Sequence, residues 1–469
     1  MHTKSLSHLF KMTIIALSIN QITVSLSYAA QTDAERIEDL EKKLQQSMQQ
    51  IELLANRLNQ LENKKSQTPS IATPSTEDST LQQKFESQNI RLEQLEKNSA
   101  QMAENAANES STNLSVFGVP VHGFAALGYA AIPNNPNLPN TLNTKSGFQL
   151  SNVDFYLAPN FGDRMKALFE LNYEYTTQGI LTFDLERFEF GYTVNDALTI
   201  WAGRFHTPFG MWNTAYHHGP YIQTSTERPR MIAFEDQGGI FPSHTVGVMG
   251  SGAVKLSEGN KLQYDAFVGN GSRIIPASDG NTLGISLGNQ LDFNPYGNDK
   301  SSLAIGGRLS YVMNNGITLG IHALSEKINT YDANNVELNS TQLNFFGGYY
   351  FAELGNWESI GEYYRFHNKD LSGDTGNHSS WTGFTQISYV LDNIWTPYVR
   401  YEKASLDQTD NYFASLQSGR SYNRSVVGIR YDFNKSAALK LEYNRTSEVE
   451  VDSSTQKDNE YRIQYAIKF

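Results

Sequence analysis

The chain has 469 residues, a formal net charge of −12, no cysteine, and 25 tyrosines, 25 phenylalanines and 35 glycines. The missing cysteines exclude disulfides, thiolate metal sites, cysteine nucleophiles and a lipoprotein anchor, and the acidic balance argues against nucleic acid as a partner. No stretch after the N-terminal segment reaches the roughly 18 apolar residues that a spanning helix needs. A polar average, with a mean hydropathy of −0.46, and many aromatic residues fit a water-filled β-barrel. A soluble β-sandwich or propeller is the alternative.

Residues 1–29 have the features of a secretory signal peptide. Lys4 and Lys11 supply its basic region, a short apolar run follows, and small residues at 27 and 29 fit a cleavage site before Ala30. A single membrane anchor is the less favoured interpretation, because serine and asparagine interrupt the apolar run.

Two heptad segments are predicted to follow the signal peptide. Residues 30–65 place apolar side chains at spacings of three and four, as in the seam of a coiled coil. Residues 66–80 contain two prolines and form a linker. Residues 81–102 repeat the heptad pattern in a shorter second helix, and residues 103–113 form a second linker. We expect the two helices to form a periplasmic stalk that associates with other copies of the chain, preferably as a trimer. An intrachain helical hairpin also fits the pattern.

Alternating, aromatic-rich runs fill residues 114–469. The final run, from Glu460 to Phe469, alternates between apolar side chains and polar or small ones, as a wall between lipid and water does. The sequence therefore predicts an all-β transmembrane barrel of about 16 antiparallel strands, with an N-terminal α-helical coiled coil. The predicted strands are 114–131, 147–159, 164–174, 183–193, 198–205, 245–255, 261–270, 302–313, 317–326, 339–351, 357–367, 380–391, 395–404, 424–433, 437–447 and 459–469.

The connections alternate in length. Those after even-numbered runs are short and rich in Asn, Asp and Gly, and those after odd-numbered runs are mostly longer. Short turns therefore lie on the periplasmic side, together with both termini. The run 183–193 breaks the alternation of faces because Phe183 and Leu185 share parity with Arg187, and a β-bulge there would restore it.

The longest connection, from His206 to His244, is unusually apolar for an outer loop, and we expect it to bury itself in the lumen. Arginines predicted to face inward lie on the strands around it. The candidate pore-constriction and substrate residues are Arg204, His206, His217, His218, Arg228, Arg230, Glu235, Asp236, Arg308, Arg400, Arg430 and Arg462.

Three interpretations of these charged residues stay open. They line a constriction that selects anions, or Arg228 and Arg230 tie the loop to wall carboxylates, or the histidines and carboxylates bind a metal. Because acidic groups also face the lumen, an electric field across the pore, with acids on one wall and bases on the other, fits equally well. The adjacent pair His217 and His218 does not reach one metal ion easily, so we predict no metal and no cofactor.

The segment from Trp201 to Gly210, W-A-G-R-F-H-T-P-F-G, resembles the W-x-G-R-F-x-x-P-F-G run of certain porins. Together with the stalk, the barrel and the terminal phenylalanine, it resembles outer-membrane porins with N-terminal periplasmic coiled coils, namely the DcaP-like channels and the phosphate-selective porin O and P superfamily. This resemblance implies a homotrimer in the bacterial cell outer membrane, with its N-terminal stalk in the periplasm, that passes small anionic solutes such as phosphate or dicarboxylates. Arg400 and Arg430 are the clearest inward pair on adjacent strands.

The sequence thus predicts an outer-membrane porin for passive diffusion of small hydrophilic solutes, with anion preference and with residues 206–244 constricting the pore. The expected partners are outer-membrane lipid, small solutes and further copies of the chain. The alternative is a non-conducting barrel whose coiled coil binds peptidoglycan or an envelope partner. No phosphate loop, dinucleotide fingerprint or H-E-x-x-H occurs, so no enzyme is predicted.

Overall fold

The computed structural model describes residues 115–116, 119–131, 146–159, 161–175, 181–217, 219–235, 239–276, 289–292, 297, 303–416, 418–449 and 453–469. The predictions for the signal peptide, the two heptad segments and the linkers fall outside these residues. Within the described part of the chain, no helix is long and apolar enough to cross a membrane. The described pairing of Ser115–Val116 with residues 119–120 belongs to one unit of the chain, and the described residues from 121 to 469 belong to a second unit.

Among the described residues, sixteen strands form one continuous wall. In chain order they are β1 (Val119–Ala131), β2 (Gly147–Leu157), β3 (Met165–Tyr175), β4 (Leu181–Asn195), β5 (Leu198–His206), β6 (His244–Lys255), β7 (Lys261–Asn270), β8 (Leu303–Val312), β9 (Ile317–Tyr331), β10 (Glu337–Leu354), β11 (Trp357–Asp370), β12 (Asn377–Tyr389), β13 (Trp395–Ser405), β14 (Tyr422–Asn434), β15 (Ala437–Val449) and β16 (Thr455–Lys468).

The wall closes on itself. Each strand pairs antiparallel with its neighbour in the chain, including β7 with β8 across the long connection between them. β16 then pairs antiparallel with β1, from Tyr461 opposite Ala131 to Lys468 opposite Phe124. The prediction of about 16 antiparallel strands in a barrel is confirmed, and each predicted run corresponds to one strand, in most cases with shifted ends.

Side chains alternate between the two surfaces of the wall, as the pleat of a strand requires. In β13, Val399 and Tyr401 are 51% and 48% exposed, whereas Arg400 and Glu402 between and beside them are 2% and 0% exposed. The outer surface is therefore apolar and the inner surface carries the charges.

The C-terminal residue completes the seam between the first and last strands. The backbone N–H of Phe469 donates to the carbonyl of Gly123 at 3.0 Å, and the Gly123 N–H donates back at 2.9 Å. The ring of Phe469 packs edge-on against Phe155, with centroids 5.7 Å apart. A Cβ atom at Gly123 would lie 2.6 Å from the Phe469 ring, so glycine is required for this packing.

A β-bulge lies in β4, as the break in its alternation predicts. Glu170 of β3 is opposite Arg187, but the next residue, Leu171, is opposite Leu185. Glu186 is therefore the extra residue. Because the bulge shifts the pleat by one position, Glu186 and Arg187 are both buried, at 2% and 5% exposure.

Short helices and a two-stranded ribbon lie at the end of the barrel that carries the long loops. Arg273–Pro276 pairs with Asn289–Asp292 as a small ribbon. Two short helices, Trp212–Ala215 and Asn411–Ser415, and the 3₁₀ turn Arg230–Ile232 belong to loops. The loop between β5 and β6 runs inward and forms a buried apolar cluster with the inner wall.

Candidate functional site

The inserted loop, residues 207–243, enters the barrel through a turn at Gly210. Glu362 on β11 accepts hydrogen bonds from the N–H groups of Met211 and Trp212, at 2.7 and 2.6 Å. Gly210 has a positive φ of 55°, and a Cβ atom there would lie 2.5 Å from a carboxylate oxygen of Glu362. Only glycine fits this position, which explains the final residue of the Trp201–Gly210 motif.

The apolar residues of the inserted loop pack against the inner wall, as predicted. Phe209, Trp212, Ile232 and Phe241 are each at most 1% exposed. The Phe241 ring centroid lies 4.5 Å from that of Tyr364 on β11. The same cluster includes Phe345, Phe366, Phe384 and Tyr422 of the wall and Phe413 of the short helix Asn411–Ser415.

Cations on the wall opposite β5 and β6 hold the backbone of the same loop. Arg400 donates to the Ser225 hydroxyl at 2.8 Å and to the Glu227 carbonyl at 3.0 Å. Arg430 donates to the carbonyl of Gln223 at 3.0 Å, and Lys440 donates to the Ser225 carbonyl at 2.9 Å. The loop therefore reaches from β5 and β6 to β13, β14 and β15.

Glu227 lies at the tip of this loop between two arginines. Its carboxylate is 2.6 Å from Arg424 of β14 and 2.6 Å from Arg462 of β16. Burial raises the pKa of Glu227, but the two guanidinium groups lower it to about 2. Glu227 is therefore ionised at neutral pH and links the loop to two strands.

Arg230 and Arg228 have different roles. The Arg230 guanidinium pairs with Glu448 of β15 at 2.6 Å, and its backbone N–H donates to Glu402 of β13 at 2.7 Å. Arg228 stays within the loop, where it donates to the His217 carbonyl at 3.0 Å and lies 3.3 Å from the centroid of the Phe234 ring.

Two further predicted arginines are paired with acids of neighbouring strands. Arg308 on β8 contacts Asp265 at 2.7 Å and donates to the Thr214 hydroxyl of the loop at 2.7 Å. Arg204 on β5 contacts Asp184 of β4 at 3.0 Å. Acids and bases are thus mixed on both walls, which differs from a transverse field with one sign on each side.

The base of the loop carries a buried cluster that we call the histidine cluster, formed by Glu186, His206, His217 and His244. One ligand-type atom of each residue lies within 4.8 Å of the others. His206 and His244 are opposite each other where β5 ends and β6 begins, and Glu235 accepts the His244 backbone N–H at 2.7 Å.

The structure brings most of the predicted site residues into two groups. Arg230, Arg400, Arg430 and Arg462 join the loop to the far wall, whereas Arg228 contacts His217 and Phe234 of the loop itself. His206, His217, Glu235 and Arg204 lie at the near wall, beside β5 and β6. Arg308 is on β8, which lies between these two groups in the order of strands around the barrel. His218 and Asp236 fall outside the described residues.

Sequence reasoning missed Glu186 and Glu362 and did not single out Arg424. Glu186 had a signal, because the broken alternation around Arg187 already required a bulge. Glu362 and Arg424 are ordinary inward-facing residues whose partners are more than 100 positions away in the chain.

Comparisons with known proteins return only structural similarity. No family model and no curated protein matches the sequence significantly. An anion-selective porin from Comamonas acidovorans aligns with a TM-score of 0.49 and 12% identity, over 75% of this chain and 99% of that chain. The outer membrane channel DcaP of Acinetobacter baumannii aligns with a TM-score of 0.46 and 13% identity, over 76% and 100%. OmpT of Vibrio cholerae, an outer membrane protein in its trimer form, aligns at 0.46 and 7%, over 75% and 99%. Similarity at this level carries no argument about function.

Proposed function

We propose that this chain is a bacterial outer-membrane porin that lets small hydrophilic solutes diffuse passively. The observation that carries the proposal is the outer surface of the barrel. Large apolar side chains are exposed on strands all around the wall, among them Leu127, Phe148, Phe190, Ile200, Val248, Ile305, Ile321, Phe346, Ile387, Val399, Val427 and Ile463. A water-soluble monomer rarely exposes contiguous apolar patches of more than a few hundred Å², whereas a lipid-facing band requires them.

The lumen supports a polar pathway in this proposal. Inward-facing positions of β13 to β16 carry Arg400, Glu402, Arg430, Lys440 and Arg462. A chain that placed these charges in contact with lipid would lose about 2–4 kcal/mol for each arginine or lysine near the midplane. A water-filled interior avoids that loss and provides a route for solutes.

Within the porin, the inserted loop narrows the pore and the lumen prefers anions. Arg230 and Arg462 are the basis of that preference, because their side chains remain 20% and 23% exposed. Their partners Glu448 and Glu227 are similarly exposed, at 17% and 28%. The preference is therefore modest, since each cation is partly neutralised by a neighbouring acid. Phosphate and dicarboxylates are the solutes to test.

The porin is a homotrimer whose short turns and N-terminal stalk lie on the periplasmic side. The short and long connections alternate around the described strands, with the turns 196–197, 355–356 and 435–436 at one end. That arrangement is typical of outer-membrane barrels. Crosslinking and mass measurement in detergent test the trimer, and truncation of residues 31–112 tests whether the stalk maintains it.

A non-conducting barrel that anchors a periplasmic coiled coil is the second candidate. It is favoured by the extent of loop docking, since Phe209, Trp212, Met231, Ile232 and Phe241 of the loop pack in one apolar cluster with the inner wall. In that case the coiled coil binds peptidoglycan or an envelope partner.

Single-channel recording in a planar bilayer under a KCl gradient separates these proposals. A porin gives discrete conductance steps in groups of three, and an anion preference gives the corresponding sign of reversal potential. Phosphate and dicarboxylates are then tested as blockers. Cation selectivity would remove the anion preference and keep the porin, and silence from correctly folded protein would favour the anchor.

A further inference from the structure

We propose that the histidine cluster is a binding site for one divalent transition-metal ion, with Zn²⁺ as the ion that fits its donors. The site joins Glu186 from the bulge of β4, His206 and His244 from the facing ends of β5 and β6, and His217 from the inserted loop. It does not depend on whether the barrel conducts.

The distances among three of the four residues fit a common ion. Oε2 of Glu186 is 2.6 Å from Nε2 of His244 and 3.6 Å from Nε2 of His217, and the two Nε2 atoms are 3.0 Å apart. A triangle with these sides has a circumradius of about 1.8 Å, so an ion at the usual Zn–N distance of about 2.0–2.1 Å contacts all three atoms from just outside their plane.

The hydrogen bonds of His217 and His244 to Asn213 and Glu235 engage Nδ1 of each ring, and Nε2 of each ring therefore faces the ion. Nδ1 of His217 lies 3.0 Å from the Asn213 carbonyl, which can only accept, so this Nδ1 carries a proton. Nδ1 of His244 lies 3.2 Å from a carboxylate oxygen of Glu235. Carboxylate or carbonyl partners on the far nitrogen are typical of metal-bound histidines, because they fix the tautomer and the ring orientation.

With both Nδ1 atoms protonated, neutral His217 and His244 would point two Nε2 lone pairs at each other across 3.0 Å. That arrangement is repulsive unless a cation lies between the nitrogens or His244 takes a second proton. A bound metal ion removes the repulsion and takes the Glu186 carboxylate as a further ligand. The competing arrangement is an imidazolium at His244 held between Glu186 and Glu235.

His206 provides the fourth ligand. Its side chain is buried, at 6% exposure for the residue, and neither ring nitrogen has a hydrogen-bond partner among the described residues. Nε2 lies 3.4 Å from the Glu170 carboxylate, and the ring stacks on His217 with centroids 3.6 Å apart. Because stacked rings cannot both point a nitrogen at one ion, the His206 ring rotates about χ2 when the metal binds.

The donor set identifies the class of metal. Three imidazoles and one carboxylate suit Zn²⁺, Cu²⁺, Ni²⁺ and Fe²⁺, and do not suit Ca²⁺ or Mg²⁺, which prefer oxygen ligands. Four protein ligands in a closed, buried site are typical of structural zinc. The negative charges of Glu186 and Glu235 together balance the charge of a divalent ion. The guanidinium group of Arg204 lies 3.8 Å from the Glu186 carboxylate, beside the site. The ion would fasten the base of the inserted loop to three strands.

The test is metal content and thermal stability of full-length, untagged protein. The protein is stripped with chelator, incubated with ZnSO₄, and passed through a desalting column before metal analysis and thermal unfolding. The proposal predicts about one Zn²⁺ per chain and an unfolding temperature that rises with Zn²⁺ and falls again with chelator. Co²⁺ is expected to give the visible bands of a tetrahedral nitrogen and oxygen site.

Four variants make the test specific. His217→Gln and Glu186→Gln are expected to lose the retained Zn²⁺ and the stabilisation, and Glu235→Gln is expected to weaken Zn²⁺ affinity by about 10–100-fold through its effect on His244. His367→Gln, on the outer surface, is the matched control and retains both. Wild-type protein that retains no Zn²⁺ and is not stabilised by it overturns the proposal and supports the imidazolium at His244 held between Glu186 and Glu235. Zn²⁺ retained equally by the His217 and Glu186 variants also overturns it, because the ion then binds elsewhere.

Discussion

Replacing Glu227 by glutamine is expected to loosen the tip of the inserted loop and to make the lumen one charge more positive. The Glu227 carboxylate is 2.6 Å from both Arg424 and Arg462. A hydrogen bond to a charged group contributes about 1.5–3 kcal/mol, and the 28% exposure of Glu227 reduces this through solvent screening. For the two contacts together we expect a loss of about 2–3 kcal/mol in docking free energy, which is roughly a 30- to 150-fold change in the docked-to-released ratio.

The pKa of Glu227 gives this interaction a pH signature. Burial raises the pKa, but Arg462 and Arg424 lower it from 4.5 to about 2 in the docked loop. A carboxyl group with a lowered pKa stabilises docking fully above its ordinary pKa of 4.5, and that stabilisation is lost as the pH falls through 4.5 towards about 2. Wild-type protein should therefore hold its loop unchanged at neutral pH and release it progressively in acid, whereas Glu227→Gln should lack this transition.

Bilayer recordings under a KCl gradient measure both effects. Glu227→Gln is expected to shift the reversal potential towards anions and to increase open-channel noise at neutral pH. Asp374→Asn is the matched control, because it removes one negative charge from the exposed loop 371–376 at the outer end of the barrel. Trypsin cleavage after Arg230 gives a second readout of loop release that needs no conduction. Identical selectivity, noise and cleavage in Glu227→Gln and wild type would refute the reasoning.

Two further substitutions and one deletion test the packing of the loop and the seam. Gly210→Val should destabilise loop docking, because its side chain would collide with Glu362 and force a residue with β-branching to a φ of 55°; unchanged thermal unfolding would contradict this. Phe241→Ala should cost about 3–5 kcal/mol in the free energy of unfolding, because the ring is fully buried, and denaturant titration in detergent measures it. Deleting Phe469 should lower the unfolding temperature of the barrel, because both hydrogen bonds to Gly123 are lost; an unchanged unfolding temperature would contradict this.

The sixteen strands could be predicted because their signal is local. A strand between lipid and water must alternate every second residue, so each wall strand carries its own evidence. The bulge in β4 could be located for the same reason, since it appears as a change of phase within one strand. Strand ends were less certain, because pairing continues into loops beyond the apolar band: β9 reaches Tyr331 and β10 reaches Leu354, past the predicted runs.

The partners of the inward charges could not be predicted in the same way. The faces of Arg400 and Arg430 follow from the alternation, and both are inward as expected. The loop atoms that they contact, at Glu227 and Gln223, are about 170 to 210 positions away in the chain. No local pattern connects such residues, so the sequence alone leaves selection of anions and fastening of the loop equally open.

The histidine cluster shows the same limit for a metal site. Sequence spacing drew attention to His217 and His218, which are adjacent and poorly placed for one ion. The fold instead joins His217 to Glu186, His206 and His244, which come from two strand ends, a bulge and a loop. Ligands collected from separate strands leave no fixed spacing in the sequence, because loop length and bulge position decide which side chains meet.

The inserted loop is thus held at two places of different physical character, and this difference leads to a prediction about salt. Glu186 and His217 at its base are at most 3% exposed, whereas Glu227 and Arg462 at its tip are 28% and 23% exposed. Screening acts mainly on exposed charges, as the Debye length falls from about 10 Å at 0.1 M salt to about 3 Å at 1 M. Rising salt should therefore release the tip while the base stays fixed, and the loop should swing away from β16.

Single-channel conductance divided by bulk conductivity measures this release. For a rigid constriction of balanced charge the ratio is constant between about 0.1 and 1 M KCl, whereas a tip that detaches makes it rise with salt. Glu227→Gln, whose tip is already loosened, should start from a higher ratio and rise less. A ratio that falls with salt in both proteins would mean that unpaired lumen charge concentrates ions at low salt, and would refute the view that Arg424 and Arg462 are neutralised by the loop.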